Sequence, residues 1–184
     1  MLQRFWRPAM LAVLVLAVAA AGGTALAKSR KAPNKVTITA GGKTTAKFKI
    51  NKYGLFRDAA HFAPGTVLLR SGGTLTLRNR DKDEPHTFSI VAKKDLPRTR
   101  GQIFKCGAPG TICDKISTGH QIDQQGNPSK PVVDVGAPGI DQAGDSFVLA
   151  PGKPQTVNLS AKAGTTLYFM CGIHPWMQGV LKVR

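Results

Sequence analysis

The sequence predicts an all-β sandwich or barrel, and three observations carry that expectation. Helical periodicity is weak after the first 27 residues. Short runs that alternate apolar and polar side chains recur along the chain, the pattern of half-buried strands. Many of these runs are separated by Gly- and Pro-rich turn segments, as expected where many short strands fold into two packed sheets.

The start of the chain has a different character. Arg4 and Arg7 precede an apolar stretch from Ala9 to Ala21, and Ala25-Leu26-Ala27 follows as a small-x-small cleavage site. That order is the anatomy of a secretory leader. The apolar part falls short of the roughly 20 residues a spanning helix needs. Residues 1–27 are therefore expected to be a cleaved signal peptide, with the protein exported to the periplasm or the extracellular cell-envelope space.

Residues 28–35 read as a basic N-terminal arm, and 36–184 as the folded domain, a length suited to one closed core. The whole chain carries a formal charge of +16, with 26 Lys and Arg against 10 Asp and Glu. From Lys28 to Arg57 there are nine Lys or Arg and no acid. Such a segment suits nucleic acid, anionic lipid or an acidic protein. Export argues against nucleic acid. The expected partner is a redox protein with an acidic surface, and membrane-surface contact through the basic N-terminal segment is a further expectation.

The strand-like runs, in order, are Val36–Thr39, Ala46–Ile50, Thr66–Leu69, Thr74–Leu77 and Thr87–Val91, then Ser146–Leu149, Gln155–Leu159, Thr166–Met170 and Gly179–Val183. Ser71-Gly72-Gly73, Ala150-Pro151-Gly152 and Ala163-Gly164 supply turn chemistry between neighbours. Residues 92–145 interrupt this rhythm with Gly, Pro, Asp and Gln, and read as a long insertion before the last strands. A segment of that length without regular structure is unusual inside a domain, so a small helix or hairpin has room within it.

Three cysteines remain to be accounted for. Cys106 and Cys113 flank Gly-Ala-Pro-Gly-Thr-Ile, a turn-prone stretch, and an exported chain favours a disulfide between them. A second metal site built on this pair is the alternative, but metal knuckles generally use tighter spacing and need two further ligands. If the pair is a disulfide, Cys171 is the free thiol.

Cys171 lies in Cys171-Gly-Ile-His174-Pro-Trp-Met177, where a thiol, an imidazole and a thioether recur at every third position between two strand-like runs. His86, after Pro85, opens the run Thr87–Val91. Side chains alternate across a strand, so Leu167, Phe169 and Cys171 share one face, and His86, Phe88 and Ile90 share another. Two separate strands thus aim a ligand toward the core side. A buried structural thiol and a hydrogen-bonded turn histidine are the ordinary roles for such residues taken singly. Together with His174 and Met177 they form the candidate metal set His86, Cys171, His174 and Met177. A thioether is a poor zinc ligand, and no carboxylate accompanies the histidines as non-haem iron requires. One thiolate, two imidazoles and a weak axial sulfur suit one copper ion.

On these residues the chain resembles the cupredoxins, the small blue copper proteins. Cys171-x-x-His174-x-x-Met177, with Pro175 after the histidine and Trp176 next, is similar to the short copper loop of amicyanin and the plastocyanin–azurin group, and His86 matches the first ligand. The resemblance covers residues 36–91 and 146–184. It implies a Greek-key β-sandwich, His86, Cys171 and His174 as equatorial ligands, Met177 as axial ligand, and His174 near the surface as the electron port. Two departures stand out. Thr87 occupies the place where family members often have an Asn that braces the ligand loop, and the 84 residues between His86 and Cys171 exceed the usual gap.

The expected function is that of an exported type 1 (blue) copper protein shuttling single electrons between partners, without substrate turnover. Copper delivery or storage is the alternative, although the chain after residue 27 has only Met170 and Met177 and no Met- or His-rich tract. Multicopper enzymes of this type link two copper sites through adjacent Cys and His. Gly172 follows Cys171, and only His61 and His120 remain outside the predicted ligands, too few for a trinuclear cluster.

Overall fold

The computed structural model describes residues 31–42, 59–123 and 127–184. The leader expected at 1–27, the first residues of the basic arm (28–30) and the strand expected at Ala46–Ile50 lie outside them. Ten strands, numbered in chain order, form two sheets among the described residues. The smaller sheet holds β1 (Lys35–Gly41), β2 (His61–Ala63), β4 (Thr74–Asn79) and β8 (Gln155–Asn158), in the order β2-β1-β4-β8. The larger holds β3 (Thr66–Leu69), β5 (His86–Val91), β6 (Val132–Val133), β7 (Ser146–Leu149), β9 (Thr166–Met170) and β10 (Gln178–Val183), in the order β3-β10-β9-β5-β7-β6. Sequence neighbours are repeatedly split between the sheets, and β1–β4 and β3–β10 pair in parallel. The fold is an all-β sandwich, as the alternating runs predicted.

Alternation explains which face each strand buries. In β4, Leu75 and Leu77 are fully buried while Thr74, Thr76 and Arg78 face outward. Leu181 and Val183 do the same in β10. Between the sheets, Phe62, Phe88 and Phe169 pack as an aromatic cluster with ring centroids 4.6 to 5.9 Å apart. Gly72, Gly152 and Gly164 all have positive φ. Each lies in one of the three turn segments read from the sequence, where a left-handed residue is needed.

One strand breaks the half-buried pattern. All six residues of β5 are buried. Its inner face lies in the sandwich, and its outer face lies under the insertion. Residues 92–145 are not irregular throughout. They contain a 3₁₀ turn (Lys93–Asp95), helix α1 (Arg100–Phe104), helix α2 (Ile112–His120) and β6. Helix α1 starts with a reciprocal capping box between Thr99 and Gln102. Cys106 and Cys113 form the expected disulfide, with S–S 2.01 Å. A second core forms here from Val91, Leu96, Cys106, Cys113, Ile116 and Met170. Met170, which parity placed on the face opposite Cys171, packs in this second core and not among the ligands.

Candidate metal centre

The centre is built at one end of β5 and β9. His86 is the first residue of β5, and Cys171 immediately follows β9. The pairing Ser89↔Met170 and Ile90↔Phe169 sets the two strands side by side. Both ligand candidates therefore point to the inner face, where His86 and Cys171 are each 0% exposed.

His86 Nδ1 lies 3.8 Å from Cys171 Sγ, His174 Nδ1 lies 3.9 Å from the same sulfur, and the two ring nitrogens are 3.1 Å apart. An ion with bonds of roughly 2.0–2.3 Å to nitrogen and sulfur fits a triangle of this size. Among the described residues this is the one cluster of three or more His, Cys, Asp or Glu side chains with metal-ligand spacing. Met177 is buried in the same loop. Its carbonyl accepts from the Cys171 amide at 3.0 Å, and its amide donates to the His174 carbonyl at 2.8 Å. The tight turn thus ties all three loop candidates together through the main chain.

The sulfur is prepared for deprotonation. Burial alone would push the Cys171 thiol up. The His174 and His86 rings, then the Thr87 and His174 amides, outweigh that burial and bring its pKa down to about 6. The two amide contacts to sulfur are 3.3 Å from Thr87 and 3.4 Å from His174. A thiolate held this way is the form that binds metal.

Asp81 and Glu84 were not among the residues singled out from sequence. His86 Nε2 donates to Asp81 Oδ2 at 2.6 Å. With its hydrogen on Nε2, the ring presents a bare Nδ1 to the centre, the usual way a carboxylate orients a ligating histidine. Burial lowers the His86 pKa, but the Cys171 sulfur and Asp81 outweigh it and leave the value raised. Asn79 holds the intervening loop, donating to the Glu84 and Leu149 carbonyls and accepting from the Asp81 amide. Glu84 Oε2 sits 3.6 Å from His174 Nε2.

Thr87 stands where β5 meets the metal loop. Its hydroxyl braces the loop as an acceptor: Gly172 N–H donates to Oγ1 at 2.8 Å. A short side chain suffices because the loop amide comes to it. Gln178 adds a second tie, donating from Nε2 to the carbonyls of Pro97 and Pro175 at 2.7 and 2.8 Å.

His174 is the least buried of the three donors, at 9% exposure. Beside it a groove of about 520 Å³ is lined by Arg100, Ile103, Phe104, Ile173, Pro175 and Trp176, among others, with Phe104 and Ile173 exposed. The remaining histidines stand apart. His61 is exposed and bonds the Ala59 carbonyl, and His120 is buried within the insertion, at the end of α2.

No family model and no curated protein matches this chain. Among solved structures it is similar to reduced auracyanin from the photosynthetic bacterium Roseiflexus castenholzii, with 16% identity over 84% of this chain and 99% of that one, at a TM-score of 0.44. It is similar also to auracyanin A, a "blue" copper protein from Chloroflexus aurantiacus (17% identity, 82% and 99% covered, TM-score 0.41). A purple cupredoxin from Nitrosopumilus maritimus gives 14% identity, 81% and 99% covered, and a TM-score of 0.39. With likeness this distant, the centre is read from its own residues and distances.

Proposed function

We propose that this protein is an exported mononuclear type 1 copper protein that carries single electrons between redox partners. The observation that supports the reading most is the buried triangle of His86 Nδ1, Cys171 Sγ and His174 Nδ1, with edges of 3.1 to 3.9 Å. One thiolate and two imidazoles suit copper or zinc, and buried Met177, the candidate axial thioether, favours copper. Copper held there would supply a one-electron Cu(II)/Cu(I) couple.

The chain's own groups do the rest. Two amides donate to the sulfur, Asp81 fixes the His86 ring, and Phe88 and Phe169 close the inner side against water. Such pre-set positions keep rearrangement small when the charge changes. His174, beside exposed Ile173 and Phe104, is the proposed point of electron entry and exit. Without residues 1–27 the chain keeps 24 Lys and Arg against 10 Asp and Glu, an excess that favours an acidic partner, and the disulfide supports an oxidising compartment outside the cytoplasm.

Copper-loaded protein is expected to show an intense visible charge-transfer band that Cys171→Ser abolishes and His61→Ala leaves intact. A colourless copper complex sinks the assignment. Stopped-flow mixing with an acidic redox protein should show electron transfer that slows with added salt. Transfer of the copper itself in place of an electron would favour delivery over shuttling.

A further inference from the structure

The insertion buries a histidine that the metal set does not use. His120 ends α2 and is 0% exposed. Its Nδ1 lies 2.7 Å from the Lys130 carbonyl oxygen, a contact in which the ring must donate. Burial lowers its pKa, so the ring is neutral at pH 7 and Nε2 is an acceptor. Ser146 Oγ lies 2.7 Å from that Nε2 and 2.6 Å from Ser89 Oγ. The single hydroxyl hydrogen of Ser146 is thus shared between them. Ser89 in turn donates to Thr87 Oγ1 at 2.9 Å.

Each member of this line is buried: Thr87 0%, Ser89 1% and Ser146 4% exposed. Thr87 and Ser89 share the outer face of β5, and Ser146 stands opposite Ser89 on β7. The line ends at the centre, because Thr87 Oγ1 accepts the Gly172 amide and Thr87 N–H donates to Cys171 Sγ. A buried polar line is costly wherever one link is missing, so its members hold one another in place.

We infer that His120 is a positioning residue for the metal loop: through Ser146 and Ser89 it holds Thr87, which fixes the Cys171 sulfur and the Gly172 amide. The insertion is then a brace of the centre, supplying from another element what a longer side chain at position 87 would otherwise do. The line itself stands without any metal, and only its effect on bound copper rests on the function proposed above.

The test has two arms. In metal-free protein, amide hydrogen exchange at Gly172 is measured by NMR relative to the amides of β10. Ser146→Ala and His120→Leu should speed Gly172 exchange about three- to tenfold, the loss of one buried hydrogen bond. His120→Gln, whose amide can both donate and accept, should restore most of the protection. Val157→Ala, in the other sheet, should leave the ratio unchanged. Unaltered Gly172 exchange in both line variants overturns the brace. If His120→Leu fails to fold, Ser89→Ala cuts the same line and is read in the same way. In the copper-loaded arm, the visible band and the spin-resonance hyperfine splitting should shift in Ser146→Ala and His120→Leu and return in His120→Gln. Identical spectra in all four proteins, wild type included, overturn the effect on the centre. A colourless wild type refutes the copper reading, while the exchange arm still decides the brace.

Discussion

The two faces of β5 and β9 serve different ends. Their inner faces carry His86, Phe88 and Ile90, and Leu167, Phe169 and Cys171, into the sandwich core. Their outer faces carry Thr87, Ser89, Val91 and Met170 under the insertion, where a separate core closes over a disulfide. The inner face supplies ligands, and the outer face holds the backbone that aims them. A sandwich alone leaves its outer face to solvent. Here that face is buried and hydrogen-bonded just where the metal loop needs restraint.

The comparison is broken most strongly in the inner core. Phe169→Ala removes a ring with no exposure that packs on Phe62 and Phe88. It should cost about 3–5 kcal/mol in denaturant unfolding. Replacing Cys106 and Cys113 together by Ser should cost less, about 2–3 kcal/mol for so short a loop. That loss should fall on the insertion, with hydrogen exchange rising in α2 before it rises in β4. Equal acceleration of both elements would mean that the two cores unfold as one.

A smaller change probes the seam between the regions. A Cβ on Gly172 would meet Ile116 Cγ2 at 2.7 Å and Ile116 Cβ at 3.1 Å. Gly172→Ala should therefore push α2 away from the loop and cost about 1–3 kcal/mol. Ile116→Ala in the same chain should recover part of it, as a double-mutant cycle would show. Simple additivity of the two losses would remove the proposed contact. The same clash explains why a larger residue after Cys171 is incompatible with this insertion.

Strand alternation made much of the sandwich legible. Thr66–Leu69, Ser146–Leu149 and Thr166–Met170 have the bounds read from sequence. β2 and β6, of three and two residues, are too short to show a period and exist through their neighbours' hydrogen bonds. Helix α1 did carry a readable signal in Thr99-x-x-Gln102, and α2 in the spacing of Ile112, Cys113, Ile116 and His120. In the centre, ligand types and strand parity brought His86, Cys171 and His174 to one place. Asp81 was hidden because its loop turns back on the strand, a tertiary fact with no spacing rule. The donors to sulfur were hidden too, since backbone amides leave no trace in residue types.

The smallest expected effect is a pH dependence traced to the outer face. Burial sets the folded pKa of His120 below its ordinary 6.5. Below that value the unfolded chain takes up a proton that the folded chain resists. Its stabilising contribution is therefore complete above pH 6.5 and is lost as pH falls through the folded value. His86 runs the other way: its raised pKa gives a contribution present below 6.5 and lost as pH rises. Comparing metal-free wild type with His120→Gln cancels His86, which both proteins share. The variant should gain on the wild type in urea unfolding as pH drops from about 7 to about 5. A difference that stays flat over that range would mean that His120 takes up its proton without strain, and that the outer face is wetter than its burial indicates.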